Sequence, residues 1–439
     1  MDNLNNNFNN NFSNKAPKYD LIIVGGGTSG CAASYIASVL NIKTLLIEKN
    51  NFLGGLMTSG LVVPVMKSAV DELNTDYYKK LVETAKKYNA QITYKDGNDG
   101  WFNPELLKIV LDDILTSPEI NKNLDVLFEA EVKKVNIIDN TIKSLEISSG
   151  GLSIPIEAIH FIDATGNGSF SKLLNCNFLK DNKIVQQNSL RFILGNVDVE
   201  KFKNFLDELN DDEDITNTYR SERNTRNELH FTTASTWDTN KIWKLDYYLK
   251  KGVKEGNLLD CDRAYFQIFS VAGARGEVAF NCPRINNFKN NPYMASIELI
   301  NARKAIYRLY SFVKKYFKGF EEAIIVNIAS QTGVREECRL KTKYIYSKDD
   351  IISAKTFKKP VLRANYSIDI HSNKKNSSVL QKVSTYELPV EALISADYNN
   401  LYAVGKLVGA DFEAHSALRV QKSCMSMAEG VVKYIKTLL

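Results

Sequence analysis

The chain reads as an α/β protein, in which a parallel sheet extended by a β-meander carries an inserted α+β domain. Three observations predict this. A strand–glycine turn–helix–strand unit opens the ordered chain near Pro17. The texture changes between about Cys176 and Thr385, where short strands alternate with polar helical segments. A strand ending in glycine and followed by a helix then returns near the C-terminus, at Leu401–Lys433.

Asp20 to Val24 is apolar and of strand length, and Gly25-Gly26-Gly27-Thr28-Ser29-Gly30 forms a tight turn. Cys31–Leu40 is rich in small residues and helical, and Lys43–Glu48 makes the second strand. Gly25 permits the turn, Gly27 lets backbone approach a pyrophosphate, and Gly30 allows the helix to pack closely on the strand. The helix start, with Thr28 and Ser29 in its first turn, offers N–H groups and the positive end of the dipole to phosphate. Glu48, 18 residues after Gly30, can accept both hydroxyls of an adenosine ribose and would repel a 2′-phosphate. Gly25, Gly26, Gly27, Gly30, Gly54, Gly55 and Gly60 are seven of the chain's 23 glycines within 36 residues. Such clustering marks backbone that must come close to something. Strand, helix, strand and acid in register make this a dinucleotide-binding unit.

Composition removes other classes. The formal net charge is +5 over 439 residues, without a Lys/Arg run long enough to grip nucleic acid. The greasiest stretches, Leu21-Ile22-Ile23-Val24 and Ala323-Ile324-Ile325-Val326, are strand-sized, so no membrane span is expected. The six cysteines contain no C-x-x-C pair, and neither H-E-x-x-H nor a carboxylate cluster occurs, which argues against a metal site or an iron–sulfur centre. Residues 1–14 lack the basic and apolar regions of a signal peptide, and an Asn-rich tract cannot bury enough surface to order itself. A disordered tail on a cytoplasmic protein is expected.

The segment after the second strand chooses the nucleotide. Glu48-Lys49 followed by Gly54-Gly55-Leu56-Met57-Thr58-Ser59-Gly60 resembles the E-K…G-G…T-S-G signature of FAD-dependent oxidoreductases. These belong to the glutathione-reductase-like superfamily with a Rossmann-like FAD domain, on a branch distantly related to fumarate reductase flavoproteins. Trp101-Phe102-Asn103-Pro104-Glu105, ahead of a helix at Leu106–Leu115, is similar to the family's aromatic-x-Pro-Glu helix. Asp163-Ala164-Thr165-Gly166-Asn167-Gly168 is similar to its D-A-T-G-[DN]-G turn. Gln331–Arg339 resembles G-V-R-E-x-R-R, with Cys338 where arginine is common. Tyr366–His371 resembles y-p-x-D-I-H, with Ser367 where proline is usual. Asn400–Lys406 and His415…Arg419 resemble the closing flavin segment.

The resemblance implies a cofactor site made by Gly25, Gly27, Thr28, Ser29, Gly30, Glu48, Lys49, Gly54, Gly55, Met57 and Thr58 in the first part. Val132, on a strand at Val126–Val135, would meet the adenine; Ala164, Thr165, Gly166 and Gly405 complete the crevice. It also implies a helix beginning near Ser416, with the N–H groups of Ala417 and Leu418 facing the flavin O2. Leu56 stands where a covalently attached relative carries histidine, so FAD would be held non-covalently. The implied organisation is a discontinuous FAD-binding domain, residues 17–175 and 385–439, around a substrate or cap domain at residues 176–384.

Arg335 can clamp a carboxylate with its planar fork, or hold the domains together through Arg335–Glu336 or Arg339–Glu337 pairs. His371, two residues after Asp369 and on the same strand face, can be an oriented acid/base or a core histidine. Arg419 joins these two as a catalytic candidate by the resemblance. The expected activity is hydride transfer between flavin N5 and a small organic substrate, with an electron donor or acceptor of unknown identity. The alternatives are a NAD-linked dehydrogenase, or a flavoprotein acting as an RNA-modifying or electron-relay partner subunit.

Overall fold

A computed structural model describes residues 16–68, 73–94, 97–120, 122–180, 186–223, 226–235, 240–286, 291–371 and 379–439. The tail expected to be unstructured lies, through residue 15, outside them. The first sheet forms from β1 (Lys18–Val24), β2 (Thr44–Ile47), β3 (Leu124–Leu127), β4 (Ala130–Ile138), β5 (Thr141–Ser149) and β6 (Leu152–Asp163). Its order is β3-β2-β1-β6-β5-β4. The first three strands and the C-terminal half of β6 run parallel, with Val24 opposite Asp163, while β4–β6 make an antiparallel meander. The single strand expected at Val126–Val135 is two strands. Glu129 turns the chain with φ +49°, so β3 joins the parallel sheet and β4 the meander.

Helices α1 (Thr28–Val39), α2 (Asp76–Lys87) and α3 (Pro104–Thr116) follow from local chemistry. In α1, Cys31, Ala32, Ala33 and Ala37 are fully buried, and their small volume lets the helix lie close on the sheet. The α3 start has Pro104 in its first turn and Asn103 as cap, accepting from the N–H of Glu105 and Leu106 at 3.0 and 3.1 Å.

The cap sheet is antiparallel and contains β7 (Phe192–Gly195), β8 (Thr216–Arg223), β9 (Arg226–Ala234), β10 (Gln267–Ser270), β11 (Val278–Phe280) and β12 (Ile324–Ile328). Its order is β8-β9-β10-β11-β7-β12. Helices α4 (Val199–Leu209) and α5 (Pro292–Tyr316) pack on it through phenylalanines, among them Phe202 and Phe312. Helix α5 begins at Pro292 because Asn291 caps it, accepting from the Met294 N–H at 3.1 Å.

The chain then returns. Strand β13 (Leu401–Ala403) pairs in parallel with Phe161–Asp163 of β6, and helices α6 (Phe412–Leu418) and α7 (Gln421–Lys436) follow. Helix α7 packs against α1, burying Met427, Ala428, Val431 and Val432. The cores do not respect the expected domain limits. Tyr346, Ile351, Leu362 and Ile368 pack with the α1 and α7 core, while Leu61, Val63, Ile92 and Trp101 pack into the cap core. Excursions from both sides are therefore shared across the boundary. Among the described residues no helix is long and apolar enough to cross a membrane.

Candidate functional site

At the C-terminal edge of the parallel strands three glycine turns converge. Gly25 has φ +105°, and a Cβ there would sit 2.7 Å from the Ala164 carbonyl oxygen. A Cβ on Gly30 would lie only 1.8 Å from the Gly25 oxygen, so this helix–turn contact admits glycine alone. The Gly54 N–H donates to the Gly26 carbonyl at 2.9 Å, which lays the second glycine pair against the first. The turn after β6 is folded by Asp163, which is fully buried. One carboxylate oxygen accepts from the Thr165 N–H and hydroxyl at 3.0 and 2.6 Å; the other accepts from the Ser171 N–H and hydroxyl at 2.9 and 2.6 Å.

Between these turns runs a cleft of about 270 Å³. Gly25, Gly27, Gly55, Ala164 and Thr165 line one part of it, and Glu48, Lys49 and Val132 the other. Gly27 caps α1 without a side-chain hydrogen bond, so the first-turn N–H groups are left to a ligand. Glu48 is already engaged. Its Oε2 accepts from the Gly26 N–H at 2.7 Å, and its Oε1 accepts from the Asn50 N–H and side-chain amide at 2.8 and 2.7 Å. A carboxylate has about four acceptor positions, so one remains for a ribose hydroxyl rather than the two expected. A second hydroxyl requires the Asn50 amide to turn away. Glycine cradle, open helix start and terminal acid together fit the adenosine and pyrophosphate of FAD.

Other expected cofactor residues are structural supports. Thr58 donates to the Leu53 carbonyl at 2.7 Å, and Met57 is buried in the core beneath the turn. Ser29 abuts Gly405, where a Cβ would lie 2.5 Å from its hydroxyl, and Lys406 passes 3.3 Å from the Cβ position of Gly166. The Lys406 ammonium donates to the Val334 carbonyl at 2.8 Å, and burial lowers its pKa.

The C-terminal helix start differs from expectation. Helix α6 begins at Phe412, capped by Asp411 accepting from the Ala414 N–H at 2.7 Å, and ends at Leu418. The N–H groups of Ser416, Ala417 and Leu418 therefore lie inside a helix and cannot face a ligand. The open helix start is that of α7, where Val420 caps without a side-chain hydrogen bond and leaves the first N–H groups, from Gln421 onward, available. Asp411 supplied a capping signal five residues earlier than Ser416. His415 is fully buried, and its Nε2 donates to the Lys406 carbonyl at 2.9 Å, so it ties two segments together.

Arg335, His371 and Arg419 come together, around a carboxylate. Asp369 Oδ2 lies 3.1 Å from His371 Nε2 and 3.5 Å from Arg419 Nη2, and accepts from the Tyr366 hydroxyl at 3.2 Å. Arg419 Nη2 also donates to the Asp369 carbonyl at 3.1 Å. Arg335 Nη1 donates to the Gln187 carbonyl at 2.6 Å, and the Gln187 N–H donates to the His371 carbonyl at 3.0 Å. Burial works against ionisation of Asp369, but the hydrogen bond to His371 and the charges of Arg419 and Arg335 hold its carboxyl well below the usual range. Burial, then Arg335, pushes His371 down to about 3, so the imidazole is neutral and its Nε2 carries the proton offered to Asp369.

The pairs considered as structural alternatives for Arg335 are partnered otherwise. Arg339 meets Glu336 at 3.0 Å with both side chains buried, and Glu337 meets Lys172 at 3.2 Å. Two arginines escaped the sequence reading. Arg191 is 7% exposed, and Arg284 stacks on the Tyr265 ring at 4.1 Å, whose edge in turn faces the His371 ring at 6.0 Å. Burial and then Arg284 lower Arg191 to about 9, and burial lowers Arg284 to about 10, so both stay charged at neutral pH. Burial and then Arg284, Arg419 and Arg191 depress Arg335. The signal for Arg191 was present: an arginine inside the apolar run Leu190–Leu194 has no place in a core without a partner.

The sequence model of a family described as FAD dependent oxidoreductase matches residues 20–432. A thioredoxin reductase from Bacillus subtilis (strain 168) is 35% identical over 78 residues, 18% of this chain and 24% of that protein, so the chain spans about a quarter of this relative's length. Among solved structures, a geranylgeranyl bacteriochlorophyll reductase-like protein from Thermoplasma acidophilum is 13% identical, with TM-score 0.45 over 96% of this chain and 79% of that one. The L-proline dehydrogenase of P. horikoshii is 13% identical, with TM-score 0.43 over 97% and 94%.

Proposed function

The chain belongs to the FAD dependent oxidoreductase family, and from that premise we propose that it is an enzyme acting on a small anionic organic substrate beside a non-covalently held FAD. FAD would be held by the glycine turns at Gly25, Gly27, Gly55 and Ala164 with Glu48 at the ribose end, and would supply two-electron hydride chemistry there. The observation that carries the anionic reading is the arginine cluster. Arg335 and Arg419 lie within the field of a single acid, Asp369, which is itself engaged by His371 and Tyr366. Guanidinium groups in a water-poor site bind carboxylate-like groups in a fixed orientation.

His371 gives the site a proton acceptor that responds to occupancy. Burial first, and then the charge of Arg335, keep it neutral, its pKa held down to about 3. An anion against Arg335 cancels much of that positive field, so the imidazole's proton affinity rises only when substrate is seated. Asp369 keeps the ring oriented throughout, as its hydrogen bond fixes which nitrogen holds the proton.

The test is direct. The purified protein should be yellow, and denaturation should release intact FAD into the supernatant, Leu56 offering no ring nitrogen for a covalent link. Anaerobic mixing with a panel of small acids and their esters should bleach or perturb the flavin with acids only. FMN in the supernatant, no chromophore after reconstitution, or equal responses to acids and esters would overturn the reading.

A further inference from the structure

Arg284 makes a second claim on the ligand. Its guanidinium carbon lies over the Tyr265 ring, 4.1 Å from the centroid, and neither Nη1 nor Nη2 has a hydrogen-bond partner although both are buried. The other arginines are more committed: Arg335 spends Nη1 on the Gln187 carbonyl and Arg419 spends Nη2 on Asp369. Arg284 thus presents a planar, pre-oriented fork with its bidentate edge unused, the geometry that matches a carboxylate or a phosphate.

Its surroundings point the same way. Arg284 pairs through its backbone with Ser189, next to Asn188, and Arg191 follows on the same segment. The Asn188 side-chain oxygen, the Arg191 Nε and both amide atoms of fully buried Gln186 have no hydrogen-bond partner. Buried polar groups are rarely left in that state unless a ligand or water completes them. The charges agree with this geometry. Arg284, Arg419 and Arg191 all act on Arg335, Arg419 acts on Arg284 and Arg284 on Arg191, and the carboxylate bearing on Arg284 and Arg335 is Asp369. One anionic group cannot balance that excess, and uncompensated buried charge is costly.

We propose that the substrate is a small organic dianion, with one acid group held by Arg335 and Arg419 and the second held by the fork of Arg284, with Arg191 behind it. This rests on the anionic reading above and narrows it to substrates with two acid groups, with Arg284 setting that specificity. The shared chemistry is a second anionic group, either a carboxylate or a phosphate monoester.

The test titrates the flavin-loaded protein with malonate, succinate and glutarate, with acetate, propionate and butyrate, and with phosphoglycolate, reading the shift in flavin absorbance. At least one dianion should bind about tenfold or more tighter than every monocarboxylate. A preference for phosphoglycolate identifies the second group as phosphate; a preference along the dicarboxylate ladder identifies it as carboxylate. Arg284→Gln should bring the dianion-to-monoanion ratio close to one. Arg284→Lys, which keeps the charge but not the fork, should recover part of it, and this variant decides the matter if Arg284→Gln fails to retain flavin. Monoanions binding as tightly as dianions would overturn the proposal while leaving the anionic reading intact, as would an unchanged ratio in both variants. A flavin spectrum that responds to none of these acids would sink both.

Discussion

A Cβ placed on Gly55 would lie 2.9 Å from the Cα of Gly27, so the two glycine motifs, 28 residues apart, meet backbone to backbone. Gly55 also has φ +53°, a conformation that costs a substituted residue energy.

Alanine at Gly55 or at Gly30 should therefore expel the nucleotide. Gly55→Ala should purify with much less FAD but a similar circular dichroism spectrum. Gly30→Ala, whose Cβ would meet the Gly25 oxygen at 1.8 Å, should also lower stability by about 1–3 kcal/mol or more. Full flavin occupancy in both variants would show that the crevice is not where FAD binds.

Substitutions at the arginine cluster should separate chemistry from cofactor retention. Arg335→Met and His371→Ala should keep FAD, while substrate-dependent flavin reduction falls by roughly 10²–10⁴-fold for His371→Ala. Loss of soluble protein in both, without a separable kinetic effect, would assign these residues to the fold instead.

Acid should destabilise the protein earlier than carboxylate titration requires. Burial holds His371 and His415 at about 3, below the 6.5 of an exposed imidazole. Their neutral forms favour the folded state, so this contribution is complete above pH about 6.5 and is lost as pH falls towards 3. The unfolded chain binds the extra protons, at about 1.4 kcal/mol per pH unit for each histidine once its unfolded form is protonated. Thermal unfolding between pH 7.5 and 5 should show a falling Tm, and His415→Gln should flatten the slope. A Tm independent of pH over that range would contradict the burial of both rings.

The start of α7 should tune the flavin. Proline is tolerated in the first turn of a helix, so Gln421→Pro removes one N–H while preserving α7; Gln421→Ala controls for loss of the side-chain bond to the Val62 carbonyl. If these N–H groups face the pyrimidine edge, Gln421→Pro should weaken sulfite binding to the oxidised flavin by up to ~2 kcal/mol relative to Gln421→Ala. Leu418→Pro, inside α6, should instead impair folding. Equal sulfite affinity in Gln421→Pro and Gln421→Ala would place the flavin edge elsewhere.

The nucleotide-binding half was legible because its determinants are local. Val24, Gly25, Gly27, Gly30 and Glu48 lie within one βαβ unit, where the strand's apolar run, the turn's backbone freedom and the acid at the strand tip each leave a mark at fixed spacing. The return of Leu401–Ala403 to the sheet was legible for the same reason, as a strand closed by Gly405. Asp369 and His371 were legible as a pair, and Arg335 and Arg419 as candidates beside them, whereas Arg191 and Arg284 were not named at all. Their meeting depends on Gln187 bridging Arg335 and His371, and on Ser189 pairing with Arg284, contacts between segments separated by about a hundred residues or more. No periodicity records such pairings, because long-range packing of the cap on the sheet sets which strand edges touch. The sequence alone determined the cofactor's cradle, whose physics is backbone geometry. The tertiary structure alone decided the charge of the arginine cluster, which is a sum over side chains that only folding brings together.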